Sequence, residues 1–346
     1  MMQKVGRIIN QGSHMIFIRN LTIAAAVGLA LVVSAPGGAV AQDKSLAVQL
    51  VDEFNALFGE HPGFRANHAK GAMFEGTFTP SRKAASLSSA AHLQKAPSKI
   101  TVRFSNASGL PEVPDDNPAG KPRGIAIRFY LPDGSDTDLI GISLKGFPVA
   151  NGEDFLAFLK AVGASGPDAP KPTPLQTFLA SHPATLKIVS LPQPTPVSYA
   201  TLPYYGINAF KFTNAAGKVQ VGRYQIVPVG KPAYVSDAAA AKRPPDILAD
   251  NVRKSLAKGP VRFKLLLQLA GPGDATNDAT QIWPDDRPKI ELGVITIAKA
   301  VPDSLAAEKK VGFLPTNLTP GIAMSDDPLI ALRSEAYAES FRRRSQ

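Results

Sequence analysis

Apolar residues recur at helical spacing across residues 45–59, at Leu46, Val48, Leu50, Val51, Phe54, Leu57 and Phe58, which predicts a packing helix. From there the pattern changes to short alternating or β-branched runs bounded by Gly, Pro, Asn and Asp. Residues 72–78, 99–105, 124–131, 137–144, 207–212, 219–229, 261–269 and 290–297 read as strands. Helical periods return at 154–162, 175–180 and 245–257. There is no strand–helix alternation and no internal repeat. The links between strands are hairpin-like or irregular. This pattern predicts an α+β chain built on an antiparallel β-barrel of about eight strands with surrounding helices.

The last segment has its own signature. Ser325-Asp326-Asp327-Pro328 supplies a small polar cap, early acids and a proline in the first turn, so a helix is expected over residues 328–344. At about 100° per residue, Arg333, Tyr337, Ser340 and Arg344 fall on one stripe. One reading is a solvated helix face. The other is chemical. Arg333 stands four residues before Tyr337, close enough to reach the phenol oxygen and favour its ionised form. A phenolate is one of the few side chains that hold ferric haem iron.

At the other end, Arg19 precedes an apolar run over residues 21–33, followed by small residues ending in Ala39-Val40-Ala41. This is the layout of a secretory signal peptide cut after Ala41, whether translation starts at Met1 or Met15. The run is short for a membrane span, so no stable membrane anchor is expected. Residues 42–346 then form a single domain, exported and periplasmic. The chain carries a formal charge of +10, which falls to +7 once Lys4, Arg7 and Arg19 are removed with the leader. Such a balance is compatible with an anionic lipid surface or with carboxylate recognition; in an exported protein nucleic acid is not expected as a partner. With no cysteine, disulfides, thiolate metal sites and a cysteine nucleophile are excluded. HExxH, GxSxG, P-loop and GxGxxG motifs are absent. After Ala41 the histidines are His61, His68, His92 and His182. His68 follows Arg65 by three residues; the two point to opposite faces in extended chain and converge only if the segment turns.

Phe64-Arg65-Ala66-Asn67-His68-Ala69-Lys70-Gly71 resembles the distal-histidine segment of the haem catalases. Val102-Arg103-Phe104-Ser105, Arg123-Gly124-Ile125-Ala126-Ile127-Arg128-Phe129-Tyr130 and Asp138-Leu139-Ile140-Gly141 resemble the segments that follow it. Ile282-Trp283-Pro284, Pro320-Gly321-Ile322-Ala323-Met324-Ser325 and Arg333-x-x-x-Tyr337 continue the series in order, over roughly residues 46–344. The chain is shorter than a full catalase and has no segment matching the C-terminal helical domain. It is therefore most similar to the small periplasmic catalase-related peroxidases.

The resemblance implies haem b held through iron by Tyr337, with Arg333 beside it. It implies His68 as the distal acid–base residue with Ser105 as its support, and Arg65, Arg103 and Arg344 on the propionates. Guanidinium suits that last task because it meets a carboxylate with paired donors. One departure bears on the reaction. The family places an Asn on the distal side after the strand matching Asp138 to Gly141. Here Ile142-Ser143-Leu144-Lys145-Gly146-Phe147-Pro148 follows, the nearest Asn is Asn151, and Ser143 or Lys145 is expected near that place. The expectation is thus a haem peroxidase reducing hydrogen peroxide, with organic peroxides as further candidates, using a small organic electron donor and showing little or no catalase turnover. A hydroperoxide isomerase on the same scaffold and a non-enzymatic haem-binding protein are the competing readings.

Overall fold

The computed structural model describes residues 44–346; the segment read as a signal peptide lies outside the described residues. Ten strands are used below: β1 Gly71–Pro80, β2 Ser98–Asn106, β3 Arg123–Tyr130, β4 Asp136–Ile142, β5 Tyr204–Tyr205, β6 Phe210–Thr213, β7 Val219–Pro228, β8 Val261–Leu269, β9 Lys289–Ala300 and β10 Ile322–Met324. Antiparallel pairing runs β1-β2-β3-β4-β5-β7-β8-β9 and returns from β9 to β1, closing an eight-stranded barrel. Closure leaves no free edge along this ring.

Of the eight strands expected from the sequence pattern, one is placed differently in the structure. The run at 207–212 does not enter the ring. Its ordered part, β6, pairs with β10 and with the first residues of β7, outside the barrel. The ring is completed by two residues, Tyr204 and Tyr205, which pair with β7 on one side and touch β4 at Ile142 on the other. So short a strand has no periodicity to detect.

Alternate residues fill the barrel. Ile100, Val102 and Phe104 of β2 join Phe74, Phe78, Ile125, Ile127, Phe129 and Phe263 in one core. Truncating one of these phenylalanines to Ala costs roughly 3–5 kcal/mol. The outer positions of β2, including Arg103 and Ser105, are also buried, so something covers that face.

The cover is helical. The helices used below are α1 Leu46–Phe58, α2 Gly152–Gly163, α3 Pro174–Ser181, α4 Pro183–Val189, α5 Ile247–Leu256, α6 Ser304–Lys309 and α7 Pro328–Arg344. Ser45 caps α1, Asn151 caps α2, and Thr173 with Gln176 closes a capping box on α3. Asp327 caps α7, its Oδ1 accepting from Leu329 N at 3.0 Å, with Pro328 in the first turn. α1, α2 and α7 pack on one another through Leu46, Leu50, Phe54, Leu156, Leu159 and Leu332, a second apolar cluster outside the barrel. Among the described residues no helix is long and apolar enough to cross a membrane.

Candidate active site

The space between the barrel wall and these helices is a cavity. Its floor is the outer face of β2–β4. Arg103 lies opposite Ala126 and Ser105 opposite Gly124, while Ala126 faces Ile140 and Gly124 faces Ile142. Residues opposite one another share a face, and these six line the cavity, whereas Phe104, between Arg103 and Ser105, and Ile127 and Leu139, next to Ala126 and Ile140, belong to the barrel core. Arg65, His68, Arg103, Ser105, Arg333, Tyr337 and Arg344 all lie on the cavity wall.

On one wall stands His68. The segment before β1 is not extended but turned, and His68 adopts φ 57°, the left-handed region, alone among the described non-glycine residues. His and Asn tolerate that region better than most residues, and strain of this kind persists only when neighbours hold it. Asn67 Oδ1 accepts from His68 N at 2.9 Å, and Arg103 Nη2 donates to the His68 and Ala69 carbonyls at 2.8 and 3.3 Å. The turn is what lets Arg65 and His68 face the same space. His68 Nδ1 lies 2.9 Å from Ser105 Oγ. Gly124 makes room for that pair: a Cβ there would sit 2.6 Å from Ser105 Oγ and 2.9 Å from the imidazole. Burial, then the charges of Arg103, Arg333 and Arg65, push His68 down to about 3, so its ring is neutral near pH 7.

The opposite wall is α7, whose stripe presents Arg333, Tyr337, Ser340 and Arg344 to the cavity. Arg333 Nε and Nη2 donate to Tyr337 Oη at 3.3 and 3.1 Å. Its remaining Nη1 donates to Asn208 Oδ1, and Asn208 Nδ2 donates to Asp327 Oδ2 at 2.7 Å. Asn208 and Asp327 are both buried. The capping acid of α7 therefore also anchors, through Asn208, the arginine that holds Tyr337. Ser340 latches the walls together, its Oγ accepting from Ala66 N at 3.2 Å.

One end of the cavity is cationic. Arg65 Nη1 and Arg103 Nε donate to the same oxygen, Glu308 Oε2, at 2.9 and 2.6 Å. Arg65 Nη2 and Arg344 Nη2 share the Val311 carbonyl at 3.0 and 2.8 Å. Among the described residues Glu308, on α6, is the single carboxylate paired with this group of three guanidiniums. Burial and the charges of Arg103 and Arg344 hold Arg65 well below the usual arginine range, and burial with Arg103 brings Arg344 down to about 10. Arg344 Nε is buried without a partner among the described residues. The far end is apolar, with Phe54, Phe147, Phe155 and Leu332.

Sequence reasoning missed three residues: Glu308, in a run of mixed charges; Asn208, with no local motif; and Asn67, the one amide side chain among the described residues of the cavity wall. It also misplaced two. Ser143 and Lys145 do not line the cavity. Ser143 is tied to Arg123 through its Oγ at 2.9 Å and its N at 2.8 Å, and Lys145 Nζ is 2.7 Å from both carboxylate oxygens of Asp285. Asn151 is committed to capping α2. From that stretch Ile142 and Phe147 reach the cavity.

Comparison with known proteins identifies this architecture. The family model described as Catalase matches residues 30–346. The chain belongs to the catalase family. A catalase-related peroxidase of Mycolicibacterium paratuberculosis is 36% identical over 300 residues, covering 86% of this chain and 94% of the relative. A catalase-related peroxidase of Synechococcus elongatus is 30% identical over 345 residues, covering 98% and 99%. A bacterial catalase of known structure superposes with a TM-score of 0.71 at 22% identity, over 98% of this chain and 68% of its own. As a catalase-family protein the chain is an oxidoreductase acting on peroxide.

The cavity fits the haem that the sequence resemblance implies. Haem is a flat apolar disc with two carboxylates at one edge. The cavity is apolar at one end and, at the other, holds three arginines against one carboxylate, with an unpartnered Arg344 Nε. Tyr337 is, among the described residues, the single anion-capable oxygen donor on the α7 wall apart from the Ser340 hydroxyl, and no group of three or more His, Cys, Asp or Glu side chains converges elsewhere among them.

Proposed function

We propose that this protein is a haem b peroxidase that reduces hydrogen peroxide with a small organic electron donor and evolves little or no oxygen. The observation that carries the reading is the pairing across one cavity of Tyr337, held by Arg333, with His68, held by Ser105. Tyr337 would hold the haem iron through its phenol oxygen. Arg65, Arg103 and Arg344 would hold the propionates, with Glu308 setting the direction of the first two. Bound haem would supply the iron that takes the peroxide and the conjugated ring that stores its oxidising equivalents.

The protein moves the proton. In the tautomer that donates Nδ1–H to Ser105 Oγ, His68 keeps a free Nε2 lone pair, and Nε2 has no partner among the described residues. Neutral and fixed, it takes the proton from one peroxide oxygen and returns it to the other, so that the second oxygen leaves as water. A catalase must also orient a second peroxide for oxidation. Here the stretch after β4 brings Ile142 and Phe147 to the cavity, and neither side chain offers a hydrogen bond. That supports an organic donor as the reductant. Export to the periplasm through cleavage after Ala41 belongs to the same proposal.

Haem-loaded protein tests it directly. The expected result is an absorption spectrum of ferric haem with an axial tyrosinate, lost in Tyr337→Phe, and phenol oxidation that outpaces oxygen release. Oxygen release from peroxide far above phenol oxidation would overturn the peroxidase assignment.

A further inference from the structure

The outer face of the barrel that floors the cavity continues beyond it. Ile142, half-buried on the floor, lies directly opposite Tyr205. Residues opposite each other in an antiparallel pair share a face, and adjacent strands lie about 4.8 Å apart. Tyr205 is therefore one strand beyond the cavity floor on the same outer side. Its chain neighbour Tyr204, opposite Ile226, points into the core. Tyr205 is half-buried and lines a shallow surface cleft with Lys145, Trp283 and Asp285. Lys145 Nζ stands 5.9 Å from the Tyr205 ring centre while paired to Asp285.

We propose that Tyr205 is a second, surface site of donor oxidation, serving phenols and aromatic amines too bulky for the cavity. The inference rests on the haem peroxidase reading. Tyr205 is well placed because it adjoins both the cavity floor and solvent. Trp283, its neighbour in the cleft, is the poorer seat for an electron hole. It is buried, and the Arg223 guanidinium lies 4.5 Å from its ring centre, which disfavours a cation radical there. Tyr205 avoids a net charge by losing a proton with its electron.

Hydrogen peroxide is the oxidant; it takes two electrons and two protons and leaves as two waters. Tyr205 would give one electron toward the cavity, where bound haem would hold the oxidising equivalents left by peroxide, and its phenolic proton to solvent at the cleft. A donor O–H or N–H then gives one hydrogen atom to the Tyr205 phenoxyl radical, restoring the phenol. Two such events complete one turnover and release two donor radicals.

The test uses the haem-loaded full chain with hydrogen peroxide. Freeze-quench electron paramagnetic resonance and trapping with a nitroso spin trap, followed by peptide mass spectrometry, should place a tyrosyl radical on Tyr205. Tyr205→Phe should abolish the adduct, whereas Trp283→Phe should retain it. Phenol coupled to dextran, which cannot enter the cavity, should be oxidised roughly tenfold more slowly by Tyr205→Phe, with free phenol falling less than about threefold. An unchanged adduct yield and an unchanged dextran–phenol rate in Tyr205→Phe, in protein that still binds haem and consumes peroxide, would overturn this site and leave the haem reading standing. Protein that takes up no haem would overturn both.

Discussion

The two walls of the cavity are built in opposite ways. The Tyr337 wall is regular: a capped 17-residue helix whose 3.6-residue period puts four functional side chains on one stripe. The His68 wall is irregular: a turned segment with one residue in the left-handed region, braced by Asn67, Arg103 and Ser105. A helix can tolerate loss of one contact and keep its stripe. A strained turn depends on each brace. The regular wall is suited to holding a heavy ligand, and the irregular one to placing a single nitrogen.

Exchanging the key residue of each wall tests this division hardest. His68→Ala should lower peroxide turnover by roughly 10²–10⁴-fold while haem content stays near that of the parent. Tyr337→Phe should instead deplete retained haem on gel filtration. The contrast breaks down if the two variants lose haem equally. Next in size is Gly124→Ala. Its Cβ would push on Ser105 and the imidazole, so turnover should fall on the order of 10²-fold with the circular dichroism spectrum unchanged. Full activity in Gly124→Ala would mean that His68 placement is loose.

A smaller effect belongs to the proximal relay. Asn208→Ala leaves Arg333 Nη1 and a buried Asp327 oxygen without partners, a cost of about 1–3 kcal/mol. Thermal unfolding should show it, with haem retention affected more than turnover per bound haem. The last test lies away from both walls. His92 is buried against Phe78 and Phe129 in the barrel, and burial pushes it down to about 4. The unfolded chain binds that proton from about pH 6.5. Stability is thus complete above pH 6.5 and is lost as pH falls through 4, by roughly 3 kcal/mol in all. Urea midpoints measured across this window should slope less in His92→Leu than in the parent.

Much of the barrel could be read from alternation, because each long strand buries one face in a continuous core. The exception, Tyr204–Tyr205, is too short for a period, and the stronger apolar run beside it drew the assignment away. The α7 stripe was legible for the same reason as the strands: regular geometry turns spacing into direction. Elsewhere spacing carried no such information. The turn at His68 is set by hydrogen bonds from β2, thirty-five and more residues away. Glu308 looks like one charge among several until α6 folds it against Arg65 and Arg103. Asn208 has no signal near it, since its partners lie 119 and 125 residues further on. Ser143 and Lys145 show the converse error. A position counted along the chain did not reveal that the backbone after β4 turns both side chains away.

The latch from Ala66 to Ser340 spans 274 positions of sequence. Its consequence concerns timing. The two walls come from opposite ends of the described residues, so the cavity is complete only once α7 has packed against the barrel. On the haem reading, a complete pocket for the prosthetic group would therefore form late in folding. A chain stopped before Pro328 would lack Arg333, Tyr337, Ser340 and Arg344, and with them one whole side of the cavity.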